Sequence, residues 1–194
     1  MRNLTDHQRL RKLPKTILLT DAVRLPDPRP AVRALGRGSA VIMRHYDDPD
    51  RAGLARQLKS LCQARQIPLI IAGDARLALN INADGLHLPE GILAGEKGTW
   101  RLWRRSGMLL SIAAHSPEAL TRAAKAHADF ALLSPVFPSK SHPENTGIGV
   151  PRFAAWAARA KLPVFALGGV NKHNMGRILT AGAAGWAAID GLSP

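Results

Sequence analysis

The sequence predicts an α/β protein, a parallel eight-stranded (β/α)8 barrel of the TIM-barrel class without its final helix. Short apolar runs alternate with amphipathic helical runs from about Lys15 onward, the pattern of a parallel sheet built from βα units. The strand-like runs number eight, and no change of composition divides them. After the last run only Gly191-Leu192-Ser193-Pro194 remain, so an eighth helix is not expected.

The elements follow in a regular order along the chain. Strands are expected at 16–20, 39–44, 68–73, 85–88, 108–113, 130–134, 163–167 and 185–189, where the runs are short and mainly apolar. Helices are expected at 30–36, 50–66, 75–81, 92–104, 117–128, 150–161 and 174–182. Ser116-Pro117-Glu118 offers an N-cap, a proline at the first helical position and an acid in the first turn. Asn174 is expected to cap the last helix.

One barrel domain is expected over residues 15–194, preceded by an extension or helix at 1–14. The length of 194 residues is short for a fold that usually takes about 200–250. The missing eighth helix would account for the difference. We expect a helix near residues 5–11, or a partner subunit in a homo-oligomer, to cover the exposed flank.

Composition narrows the class of protein. Cys62 is the single cysteine, which excludes an internal disulfide and fits a reducing, cytoplasmic compartment. No apolar run approaches the roughly 20 residues of a membrane span, so no membrane partner is expected. The net charge of +13 raises the question of nucleic acid, but the basic residues are scattered. Of the two local clusters, the one at 100–105 has interleaved aromatic residues as single-strand binders do, but a helix with arginines in solvent explains it equally well. Nucleic acid is therefore not an expected partner.

The glycine doublet Gly168-Gly169 is the most informative motif. It ends the seventh strand and precedes a helix, an arrangement that lets backbone N–H groups approach a phosphate. In eightfold barrels the loops after strands seven and eight commonly hold a phosphate group. A tight βα turn without a ligand is the alternative.

Polar residues follow several other strands, where barrels carry their reactive groups. Arg44 is a candidate clamp for a phosphate or carboxylate, or else a structural ion pair. Asp74 is a candidate ligand of Mg²⁺, or else a helix cap. His87 either points into the site or is a satisfied core histidine. The loop Ser139-Lys140-Ser141-His142 can surround an anion, or else it is a polar surface loop.

Several motifs together resemble the thiamine-phosphate synthase and TenI superfamily over about residues 15–191. The motifs are Gly85-Leu86-His87-Leu88, Ala114-His115-Ser116, Ser134-Pro135-Val136-Phe137-Pro138-Ser139-Lys140-Ser141, Ala166-Leu167-Gly168-Gly169-Val170 and Ala181-Gly182-Ala183. The resemblance implies a (β/α)8 barrel whose synthase members join a pyrimidine-methyl diphosphate to a thiazole phosphate, with Mg²⁺ assisting release of diphosphate.

The resemblance also implies site residues. Arg44 is an expected catalytic residue, and Asp74 and Glu90 are the expected Mg²⁺ ligands, with Glu90 in place of a missing aspartate. His142 is the other catalytic candidate, as a general acid or base on a loop that folds inward. The residues expected to bind small-molecule phosphate substrates are Arg44, Gly73, Ser139, Lys140, Ser141, Gly168, Gly169, Ile189 and Asp190.

The chain departs from the family pattern at particular positions. Ile189-Asp190 stands where the family has Val-Ser, and Pro89-Glu90 replaces a run that carries a second aspartate. The catalytic histidine of the TenI tautomerase branch falls on Pro135. The residues expected to bind the thiazole phosphate therefore follow the family pattern more closely than those expected to bind the diphosphate and Mg²⁺. A weakened paralogue that binds a thiamine precursor or another phosphate ester is the alternative to a synthase-like transferase.

Overall fold

The computed structural model describes residues 13–91, 107–138 and 146–192. The N-terminal extension up to residue 12, the helix expected at 92–104 and the loop Ser139-Lys140-Ser141-His142 lie outside these ranges.

Eight strands form a closed parallel barrel, in which each strand pairs with its neighbours in chain order and the first pairs with the last. This confirms the predicted fold class, and the strand bounds agree with the expected ranges to within about a residue. The strands are β1 Thr16–Leu19, β2 Ser39–Met43, β3 Leu69–Ala72, β4 Gly85–Leu88, β5 Leu109–Ala114, β6 Phe130–Leu133, β7 Val164–Ala166 and β8 Gly185–Ala188.

Six α-helices in the described ranges connect the strands, at the expected places. They are α1 Arg29–Ala34, α2 Arg51–Arg65, α3 Ala75–Asn80, α4 Pro117–Lys125, α5 Gly149–Arg159 and α6 Met175–Thr180. A 3₁₀ turn at Asp190–Leu192 follows β8, and within the described part of the chain no α-helix comes after it. None of the described helices is both long and apolar enough to span a bilayer.

Two caps were predicted from local sequence, and one of them is correct. The Ser116 hydroxyl accepts a hydrogen bond from the Ala119 N–H at 3.1 Å and so begins α4. Asn174 holds the N-cap position of α6, but its side chain does not cap the helix. Its Oδ1 accepts the Asn171 N–H at 2.8 Å instead. Its amide N–H donates to the Gly169 carbonyl at 2.9 Å, which braces the glycine doublet.

Apolar residues alternate between two layers along each strand. Ile17 and Leu19 face the barrel interior with Phe130 and Phe165, whose rings lie 4.9 Å apart. Leu18 lies in the outer layer that packs against the helices. Period-two alternation of a strand buried on both faces explains why nearly every strand residue is apolar. The filled interior leaves the carboxyl ends of the strands as the place for a cavity.

Candidate functional site

A cavity of about 770 Å³ opens at the carboxyl ends of the strands. Its walls come from residues at or just after seven of the eight strands, all except β3. Five residues of the predicted site line it: Arg44, Gly168, Gly169, Ile189 and Asp190. The fold therefore gathers these groups, although as many as 146 positions separate them, counted from 44 to 190.

The glycine doublet forms one wall in a conformation that other residues rarely adopt. Gly168 has φ +92° and Gly169 has φ +64°. A Cβ on Gly168 would lie 2.7 Å from the Cα of Pro135, and one on Gly169 would collide with the Pro138 carbonyl oxygen. The doublet is thus fixed by close packing against the segment after β6, which donates the Phe137 N–H to the Gly168 carbonyl at 3.0 Å.

The backbone N–H groups of this wall are available to a ligand. Leu167 donates to Leu133, whereas within the described residues no acceptor takes the N–H of Gly168, Gly169 or Val170. Polar backbone groups at such a site need a partner in solvent or in a bound molecule. Successive N–H donors at the end of a strand suit a phosphate.

Arg44 lies on another wall of the cavity. Its guanidinium is 3.8 Å from the carboxylate of Asp21, and its side chain is one-third exposed. Burial opposes ionisation of Asp21. Hydrogen bonds from the N–H groups of Arg24 and Val23, together with the charge of Arg44, nevertheless hold the pKa of Asp21 below its usual value. Arg44 therefore faces the cavity with a partly compensated positive charge.

Asp190 and Arg24 form a second ion pair at the cavity wall. The Arg24 Nε donates to Oδ1 of Asp190 at 3.2 Å, and its Nη2 donates to Oδ2 at 2.6 Å. Sequence reasoning missed Arg24 because its role depends on a contact with a residue 166 positions away. A systematic inspection of residues after the first strand would have found both Asp21 and Arg24.

Both alternatives that the sequence left open for His87 hold: it faces the cavity and it is a hydrogen-bonded, buried histidine. It is 5% exposed and its Nδ1 lies 2.9 Å from the Ser111 hydroxyl, yet it also lines the cavity. Leu86 and Leu88 belong to the outer layer, which places His87 on the interior face. Burial, together with the positive charge of Arg44, lowers the pKa of His87 to about 3. The imidazole is therefore neutral near pH 7.

The two carboxylates expected to hold Mg²⁺ are engaged elsewhere. Asp74 accepts the Leu77 N–H at 2.8 Å and caps α3, and its second oxygen lies 3.3 Å from the Arg51 guanidinium. Glu90 pairs with Arg122 at 2.5 Å and with Nδ1 of His115 at 2.8 Å. Asp74, Glu90 and Gly73 are absent from the cavity lining, although His115 belongs to it.

Comparison with known proteins gives the family. A family model described as thiamine monophosphate synthase matches residues 29–192, which is most of the chain. The chain belongs to the thiamine monophosphate synthase family. The resemblance carried by the sequence motifs is thereby confirmed.

Two curated relatives and one solved structure illustrate the match. The chain is 29% identical over 84% of its length to the thiamine biosynthesis bifunctional protein ThiED of Geobacter sulfurreducens, and 31% identical over 74% to the thiamine-phosphate synthase of Geobacillus kaustophilus. It spans only 34% and 65% of those proteins. The thiamine phosphate pyrophosphorylase from Pyrococcus furiosus superposes with a TM-score of 0.75 at 25% identity, over 91% of this chain and 85% of that one.

The family resemblance implies Mg²⁺, but neither of the two carboxylates expected to hold it lines the cavity. No group of three or more His, Cys, Asp or Glu side chains in the described ranges could hold a metal ion. Asp74 and Glu90 are each paired with an arginine, which competes with a cation for the carboxylate. Mg²⁺ stays a prediction.

Proposed function

We propose that this chain is a thiamine-phosphate synthase-like transferase, which couples a hydroxymethylpyrimidine diphosphate to a thiazole phosphate and releases diphosphate. The observation that carries the proposal is the cavity itself. It combines the available N–H groups of Gly168 and Gly169 on one wall with the Arg44 guanidinium on another. Two anion-binding elements in one cavity suit a reaction between two phosphorylated molecules. Family membership supports the same reaction.

In this proposal the glycine doublet holds the phosphate of the thiazole, since its N–H donors are fixed before binding. Arg44 lies on the diphosphate side. As the bond between the pyrimidine methylene carbon and the diphosphate oxygen breaks, the electron pair leaves with the oxygen, and Arg44 stabilises the charge that develops there. The thiazole nitrogen then donates its lone pair to the methylene carbon. Neutral His87 also lines the cavity.

The remaining predicted residues extend the same site. Ser139, Lys140 and Ser141 are proposed around the thiazole phosphate, His142 as an acid or base, and Ile189 and Asp190 at the rim. The homo-oligomer, the small-molecule phosphate partners and the cytoplasmic location remain part of the proposal.

Turnover of both precursors tests the proposal. Purified protein is incubated with the pyrimidine diphosphate and the thiazole phosphate, with Mg²⁺ or with EDTA, and thiamine phosphate is measured. Arg44→Gln is expected to lower kcat by at least about tenfold, because it removes a charged donor to the leaving group. Arg29→Gln is the matched control, since Arg29 forms an exposed pair with Asp27 and does not line the cavity. Absence of product from the wild-type protein would reject the transferase.

One observation favours a second candidate, a weakened paralogue that binds a thiamine precursor or another phosphate ester. Arg24 and Arg44, the arginines among the described lining residues, each lie against an aspartate. Compensated arginines stabilise a departing diphosphate less well than free ones. Calorimetric binding of the thiazole phosphate without turnover would support this candidate over the transferase.

A further inference from the structure

The ion pair of Arg24 and Asp190 joins the ends of two neighbouring strands beside the cavity. β1 and β8 pair directly in the barrel, and the two residues follow them. The pairing is bidentate, which fixes the plane of the guanidinium. The side chains keep 27% and 41% exposure, so a ligand in the cavity can reach them.

Arg24 is held in place by its own loop. Asp21 accepts the N–H groups of Val23 and Arg24 through one carboxylate oxygen, at 3.1 Å and 3.0 Å. The Asp21 carbonyl accepts the Leu25 N–H at 2.9 Å, which closes the turn. Little backbone freedom then has to be lost when the guanidinium binds a ligand.

Asp190 lies next to the segment that carries the available N–H groups. A Cβ on Gly191 would lie 2.8 Å from the carbonyl oxygen of Val170, so the backbones after β7 and β8 are in contact. Both segments line the same cavity. An anion bound at Gly168 and Gly169 would therefore be close to the Asp190 carboxylate, and two negative charges repel each other. Arg24 is a cation placed to compensate both.

We propose that Arg24 is a phosphate-binding residue of this cavity, and that Asp190 competes with a phosphate monoester for its guanidinium. The inference rests on the proposed phosphate site at the glycine doublet. It makes Asp190 a specificity-determining residue, since a ligand must bring enough negative charge to displace the carboxylate. The site then binds a phosphate monoester more weakly than its basic residues alone would allow.

Calorimetric titration with two probes, inorganic phosphate and the thiazole phosphate, tests the inference on the full chain. Asp190→Asn is expected to tighten binding by roughly tenfold, because it removes the charge that competes with the phosphate for the Arg24 guanidinium. The decisive comparison adds Arg24→Gln to Asp190→Asn. The ion pair with Asp190 is already absent in that background, and we expect affinity to fall by roughly tenfold from the single variant.

The matched controls are Asp27→Asn and Arg29→Gln, which disrupt an exposed Asp–Arg pair away from the cavity. Neither should change the affinity. Arg24→Lys in the Asp190→Asn background should retain most of the gain. Thermal melting of each variant checks that the fold is intact.

Two results would overturn the inference. The first is equal affinity of Asp190→Asn and the double variant, which would show that Arg24 does not touch the phosphate. The second is unchanged or weaker binding by Asp190→Asn in a folded protein. Turnover is measured separately, so a protein that binds phosphate through Arg24 without forming thiamine phosphate would reject the transferase and keep the inference.

Discussion

The buried histidine makes the stability of this barrel depend on pH in a predictable window. His87 has a pKa of about 3 in the folded protein, whereas an exposed histidine titrates near 6.5. Between these values the unfolded chain binds a proton that the folded chain does not. Stability contributed by neutral His87 is therefore fully present above pH 6.5 and is lost as the pH falls toward 3.

The magnitude follows from the difference in proton binding. At pH 5 the pH lies 1.5 units below the pKa of the histidine in the unfolded chain, the difference between 6.5 and 5. Protonation of this histidine therefore stabilises the unfolded chain. Each unit is worth about 1.4 kcal/mol, so the wild-type protein should lose about 2 kcal/mol between pH 7.5 and pH 5 through this group. For a protein of this size that corresponds to a decrease in Tm of about 4–8 °C.

Urea denaturation of the wild-type protein and of His87→Gln, at both pH values, measures the effect. Glutamine keeps a polar side chain opposite Ser111 but does not titrate. Because the substitution also changes the absolute stability, the quantity to compare is the change of the unfolding free energy with pH. Carboxyl groups with lowered pKa values, such as Asp21 and Glu118, contribute equally to both proteins and cancel.

His173→Gln is the matched control, because His173 is exposed. It should show the same pH dependence as the wild-type protein. If the free energies of unfolding of wild type and His87→Gln fall in parallel, His87 is not a neutral buried group and the reasoning is wrong.

Three further predictions concern other residues. Cys62 is buried, and its pKa is raised to about 12, first by burial and then by the charge of Asp84. Because the thiolate is the reactive form, the native protein should react with a thiol reagent at pH 8 at least about 1000-fold more slowly than the protein unfolded in guanidinium chloride. Gly169→Ala should lower the free energy of unfolding by about 2 kcal/mol or more and weaken phosphate binding in calorimetry, because of the positive φ and the collision at Pro138. Asp74→Ala should cost about 1 kcal/mol in urea melts through loss of the α3 cap, whereas Asp74→Asn, which can still cap, should cost less; equal losses would contradict the capping role.

The barrel could be predicted from the sequence because the patterns that specify its strands and helices each span only a few residues. Each strand is a short apolar run, and the cap at Ser116 needs only a hydroxyl and the N–H three residues later. The glycine doublet was equally readable, since positive φ at Gly168 and Gly169 favours glycine whatever surrounds it. The prediction for the Asn174 side chain was wrong because its Oδ1, the atom that would cap the helix, accepts the N–H of Asn171 instead.

For the candidate site, the sequence predicted which polar residues follow the strands, but not which of them contact one another. Asp74 illustrates the limit, since its sequence context suited a cap and a metal ligand equally well. The observed cap and the contact with Arg51, 23 positions away, depend on the path of the chain. Glu90 likewise pairs with Arg122 and His115 across separate βα units.

The sequence by itself determined the eightfold alternation, the family and the glycine wall of the cavity, because periodicity and backbone conformation act over a few residues. Only the tertiary structure decided the electrostatics of the site. Asp190 was readable as a substitution where the family has serine, but closure of β8 onto β1 brings it to Arg24 and turns an isolated carboxylate into half of an ion pair. Charge acts through space, and the distances between these groups are set by the closed barrel.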